Sequence, residues 1–178
     1  CSSDLMQAQG YPTPRLHALA HPARTFGGVA NLSTAAEIVD WLKTAPTPLF
    51  GKPVNSTHGV GGVLIADVDA KRETFRTCAG ETYPLAALAD AIQPFVASGG
   101  YLFQEALIAD GDVGRMTDGR LATLRVIVLL GPGGPVAHHV ICRLPSGANR
   151  VDNFRRPGNL ICAVDPQTGA LGPVIRGV

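Results

Sequence analysis

The chain has 178 residues, 46% of them apolar, and its 15 basic and 14 acidic side chains leave a formal charge of +1. That is enough apolar material for one ordinary domain or two small lobes with a real core. A charge so near zero provides no field to recruit nucleic acid or an anionic membrane, and no apolar run approaches the roughly 20 residues that span a bilayer.

The four cysteines, Cys1, Cys78, Cys142 and Cys162, form no CxxC pair and are too sparse for a disulfide-stapled secreted domain. With no charged-then-apolar export signal at the start, a reducing cytoplasmic compartment is expected. Cys1 stands first without an initiator Met, so the expectation is a processed chain or one cut from a longer protein.

Gly10, Pro12 and Pro14 break any early helix, and residues 15–20 read as a short strand before a loop at 21–28. Thr34 and Glu37 have capping-box spacing, and Ala35, Ile38, Trp41 and Leu42 recur at helical intervals, which predicts a helix over 33–44. A strand, glycine loop, strand, helix, strand series follows at 48–52, 55–62, 63–68, 84–97 and 101–106. In its helix Pro84 suits the first turn, Leu85, Leu88, Ala89, Ile92, Phe95 and Val96 line one face, and Gly99 with Gly100 ends it. Past Ala109 the pattern is β-rich with no helix expected: strands at 123–130 and 136–143 around a 131–135 loop, then 160–164.

Lys52 ends an apolar strand and is followed by Asn55, Ser56, Thr57, His58, Gly59, Val60, Gly61 and Gly62. Glycine backbone N–H groups can turn toward an anion, the Ser56 and Thr57 hydroxyls add donors, and the lysine adds a point charge, so this is a candidate phosphate cradle. The Walker and Rossmann spacings are absent, and a flexible connection with an exposed lysine fits the loop on its own equally well.

A hairpin symmetric about Gly133 places Arg125 opposite Ile141, with Arg143 one diagonal step away on the same face and His139 further along it. The other face, Leu124, Val126, Val128, Leu130, Val136, Val140 and Cys142, is expected to pack against a core. Two neighbouring guanidinium groups repel unless an anion or a carboxylate lies between them. Phosphate fits, and so does local pairing with Asp152 or Asp165, or simple exposure of each arginine to solvent. His138, His139 and Cys142 are too few for a structural zinc, with positions 138 and 142 sharing a face if the strand is regular. Asp110 and Asp112 read as turn residues, where a carboxylate could still accept from a ribose hydroxyl.

Taken in order, these segments resemble the ATP-grasp superfamily, most closely the sugar-transfer-associated ATP-grasp proteins. The resemblance rests on Gly10 to Pro14, Phe50-Gly51-Lys52-Pro53 with Gly59-Val60-Gly61-Gly62, and Leu102-Phe103-Gln104-Glu105. It continues through Thr123-Leu124-Arg125, Arg143, Val151-Asp152-Asn153 and residues 163–169. It implies an α+β fold: residues 1–45 as the end of a preceding region with one amphipathic helix, 46–104 as a small α/β lid, and 105–178 as the first part of an antiparallel catalytic sheet.

By the same resemblance Lys52 contacts nucleotide phosphates and the Gly59 to Gly62 loop closes over them. Gln104, Glu105, Ala106 and Leu107 form the hinge beside adenine, and Arg125, Arg143 and Asn153 hold the terminal phosphate and an acyl phosphate. The implied activity is an ATP- and Mg2+-dependent ligase joining a small-molecule carboxylate to an amine or thiol, in the setting of cell-surface polysaccharide assembly. Pro157-Gly158 stands where a Gly-Gly pair is usual, and the Glu-x-Asn segment that binds magnesium is absent, so the chain alone is expected to be incomplete and inactive. Two other readings remain open: a non-catalytic module binding a nucleotide or another anionic ligand, and a structural β-rich domain with paired arginines.

Overall fold

The computed structural model describes residues 6, 8–56, 59–147, 149, 152–153 and 157–177. The chain is mixed α+β and divides into two compact units, Cys1–Leu107 and Ile108–Val178. No helix among the described residues is long and apolar enough to cross a membrane.

The first unit is built on a seven-stranded sheet, mostly antiparallel, in the order β2-β1-β7-β3-β4-β5-β6. Its strands are β1 (Leu16–Ala20), β2 (Ala30–Leu32), β3 (Leu49–Pro53), β4 (Val63–Asp69), β5 (Thr74–Thr77), β6 (Thr82–Pro84) and β7 (Tyr101–Glu105). Only the β1–β2 pairing is parallel. Residues 16–45, read from the sequence as a preceding region, supply β1, β2 and a helix to this same unit.

That helix, α1 (Ala35–Leu42), begins where the capping box put it. The Thr34 hydroxyl accepts from the Glu37 N–H at 3.2 Å, and the Glu37 carboxylate accepts from the N–H groups of Ser33 and Thr34 at 2.6 and 3.3 Å. These bonds satisfy donors that a helix start leaves orphaned. Helix α2 (Leu85–Ser98) has Pro84 as its N-cap, and Leu85, Leu88, Ala89, Ile92 and Val96 are buried, as the period required. It ends where the Gly99 and Gly100 N–H groups both donate to the Phe95 carbonyl at 3.1 and 2.9 Å, and Gly100 then turns the chain away at φ +102°.

Both helices cover one face of the sheet. Ala18, Ala20, Leu49, Ile65, Tyr101 and Phe103 point into a core shared with Ile38, Leu42, Leu88 and Ile92, and the Trp41 ring lies 5.1 Å from Phe103. Side chains of opposite parity therefore occupy the face without helices.

In the second unit a short helix, α3 (Gly111–Thr117), precedes an antiparallel four-stranded sheet of order β11-β10-β9-β8. Its strands are β8 (Thr123–Gly131), β9 (Gly134–Leu144), β10 (Leu160–Val164) and β11 (Leu171–Arg176). Helix α3 corrects the expectation of no helix past Ala109. At seven residues it is too short to show a period, and Asp118 ends it in the left-handed region at φ 52°.

The β8–β9 hairpin pairs Arg125 with Ile141, as expected, but by a different route. The turn is tighter than assumed, Gly131 facing Gly134, and His138 is an extra residue on β9 between the pairs Ile127↔His139 and Val128↔Ala137. The bulge restores the register nearer Arg125. Beyond it Val136 faces Leu129, so Val136 leaves the apolar face on which the regular-strand reading had put it. That face is not packed as expected either: Leu124 is 63% exposed, Val128 49% and Leu130 86%, while Val140 is buried. The strand β8 is a sheet edge exposed along its whole length, and an alternating pattern says which side chains share a face, not whether another layer covers them.

Candidate functional site

Lys52 lies on β3 opposite Leu102, and Phe50 lies opposite Gln104. Lys52 and Gln104 are thus diagonal neighbours on the helix-free face, with Phe50 and Leu102 completing the patch. Lys52 is half-buried and forms no ion pair with a described residue. Glu105 pairs with Leu49 and so has the parity of the helix-covered face, and its Oε2 accepts from the Arg15 N–H at 3.2 Å. The Glu105 N–H donates to the Arg15 carbonyl at 2.8 Å and the Ala106 N–H to the Pro48 carbonyl at 3.4 Å. Ala106 is buried and Leu107 is 47% exposed. Of the four expected hinge residues, Gln104 alone shares the Lys52 face.

The glycine loop is anchored at its base. Gly59 and Gly61 take φ +72° and +76°. A Cβ on Gly61 would come within 2.7 Å of the Phe95 ring and 2.8 Å of Pro53, so glycine is required there by space as well as by backbone. The Tyr101 hydroxyl, buried with its pKa raised by desolvation, donates to the Gly61 carbonyl at 2.8 Å. The Ser56 hydroxyl donates to the Val60 carbonyl at 2.7 Å and folds the loop on itself. Gly59 and Gly62 are exposed. Thr57 and His58, also assigned to the phosphate cradle, lie outside the described residues.

In the second unit Thr123 faces Arg143 and Arg125 faces Ile141, which sets the two arginines one diagonal step apart on one face, with His139 further along opposite Ile127. Neither arginine is ion-paired among the described residues, and the Arg143 Nε is buried with no hydrogen-bond acceptor. Of the two acids that could pair with them, one lies beside the pair, bonded to the residue opposite Arg143, and the other is held in a turn of its own. Asp152 accepts from the Thr123 hydroxyl. Asp165 accepts from the N–H groups of Thr168 and Gln167 at 2.9 and 2.8 Å, bonds that hold its carboxyl below the ordinary range.

Asn153 sits on the β9–β10 connection, which is pinned by two residues that no motif had singled out. Asn159 is fully buried; its Oδ1 accepts from the Ser146 N–H at 3.0 Å and its Nδ2 donates to the Asn153 carbonyl at 2.8 Å. The Arg120 guanidinium donates to the carbonyls of Thr117, Gly147 and Asn149 and pairs with Asp118 at 2.8 Å. A polar residue just ahead of an apolar strand was the only sequence signal for Asn159.

Asp110 is the N-cap of α3, its carboxylate accepting from the Gly111 N–H at 2.7 Å. Because His138 is the bulge residue, it no longer shares regular strand parity with Cys142, which undoes the face proposed for a metal. Among the described residues no group of three or more His, Cys, Asp or Glu side chains could hold a metal ion. A groove of about 290 Å³ between α1 and α2, lined by Ala35, Val39, Asp40, Ala86, Ala89 and Asp90, contains none of the residues assigned to phosphate binding.

No family model, curated protein or solved structure matches the chain.

Proposed function

We propose that the chain binds ATP and belongs to an ATP-dependent ligase of ATP-grasp type that joins a carboxylate to an amine or thiol through an acyl phosphate. The observation that carries this reading is the pair Arg125 and Arg143 on one sheet face, neither ion-paired with a described residue, with the Arg143 Nε buried and without an acceptor. Arg125 is exposed and Arg143 half-buried on the same sheet face, and an anion between them would relieve the repulsion of two like charges. A phosphoryl group offers several acceptor oxygens to such a pair. Lys52, which forms no ion pair with a described residue and precedes an anchored glycine loop, supports the same ligand class.

In the proposed reaction a carboxylate oxygen attacks the terminal phosphorus of ATP and ADP leaves. The amine or thiol then attacks the acyl carbon and phosphate departs with the acyl-phosphate oxygen. Arg125 and Arg143 stabilise the charge that gathers on the transferred group. Cell-surface polysaccharide assembly is the setting the resemblance implies.

Titration calorimetry with ATP, ADP and inorganic phosphate tests the proposal. Saturable binding that strengthens from phosphate to ADP to ATP supports it. Equal weak binding of all three would favour the module for other anionic ligands, and no binding would leave the arginines as structural.

A further inference from the structure

Cys142 on β9 and Cys162 on β10 are direct register partners of an antiparallel ladder, and both are free thiols. Directly opposed residues in such a ladder have Cα atoms about 4.5 or 5.5 Å apart, depending on the hydrogen-bonding site. Both values fall within the span of about 4.4–6.8 Å that a disulfide bridges. Cys162 is 2% exposed and Cys142 half-buried, while the residues flanking them across the sheet, Leu124 and Val174, are 63% and 58% exposed, so a small reagent reaches Cys142 first.

We infer that Cys142 and Cys162 form a cross-strand dithiol site that reacts with a low-molecular-weight disulfide to give an intramolecular bridge. The Cys142 thiolate attacks one sulfur of the reagent, making a mixed disulfide and releasing one thiolate. The Cys162 thiolate then attacks the Cys142 sulfur, and the second reagent thiolate leaves. Two cysteine thiols are oxidised by two electrons, one reagent disulfide is reduced to two thiols, and those thiols take up the two protons. The bridge ties together the two ends of the connection that carries Asn153, next to Arg143.

The inference stands apart from ATP binding and is tested without it. The full chain is equilibrated with excess oxidised glutathione at mildly alkaline pH, because burial, with the neighbouring Cys162, pushes the Cys142 thiol up. After acid quench and alkylation the chain is mapped with trypsin without reduction; cleavage after Arg143 separates the two cysteines. Exposed Cys78 serves as the internal control and should carry glutathione. The expected map joins the Cys142 and Cys162 peptides within a monomeric chain, and in Cys142→Ser it leaves Cys162 as an alkylated thiol. The inference is overturned if both cysteines remain alkylated once Cys78 is fully modified, or if each carries glutathione instead of its neighbour.

Discussion

Arg143 stands one diagonal step from Arg125 across the β8–β9 ladder, and its Nε is buried without an acceptor. A buried donor left unmet costs about 1–3 kcal/mol, so the site is less stable than its apolar equivalent until an anion arrives. Replacing Arg143 by Met should therefore raise stability by about 1 kcal/mol in chemical denaturation while weakening ATP binding. A variant that is both less stable and unchanged in binding would mean that the arginine serves packing alone.

Lys52 makes no ion pair with a described residue and lies on the face away from the core. Lys52→Ala should leave the melting temperature close to that of the parent and reduce ATP affinity by about 1.5–3 kcal/mol, the usual worth of a charged hydrogen bond. Calorimetry beside a thermal melt separates the two effects.

At Gly61 both space and backbone exclude a side chain, since a Cβ would meet Phe95 and Pro53 at under 3 Å and φ is +76°. Gly61→Ala should cost about 1–3 kcal/mol in urea unfolding. Tyr101→Phe, which only deletes the hydrogen bond to the Gly61 carbonyl, should cost about 0.5–1.5 kcal/mol and speed amide exchange in the loop base. An alanine at 61 without penalty would show that the loop base is not packed as described.

The α1 cap makes a pH prediction. The Glu37 carboxyl lies below the ordinary range because Ser33, through its N–H and then its hydroxyl, donates to it, with Thr34 adding a third bond. A folded value below the unfolded one means that the stabilisation is fully present above the unfolded pKa and is lost as pH falls through the folded pKa. Glu37→Gln should melt earlier than the parent at neutral pH, and the difference should close on acidification through the carboxylate range. A difference that persists at low pH would assign the effect to the side chain's shape, not its charge.

What could be read beforehand was local. Thr34 with Glu37 announces a helix start, the Leu85 to Val96 period announces a buried face, and hairpin arithmetic pairs Arg125 with Ile141. What could not be read depends on distant partners. β5 and β6, of four and three residues, are too short to carry a pattern and exist by pairing with β4 and with each other. The bulge at His138 has no glycine to mark it, yet it moves Val136 to the other face. Arg120 and Asn159 act on carbonyls through folding of the chain, which residue type alone does not reveal.

The most direct test of the account is one titration series: ATP with magnesium against the parent chain, Lys52→Ala and Arg143→Ala, each first shown to be folded. The account predicts saturable binding by the parent and a loss of tenfold or more in each variant, as charged hydrogen bonds of about 1.5–3 kcal/mol require. A parent chain that binds no ATP, or two folded variants that bind it as tightly as the parent, would contradict it.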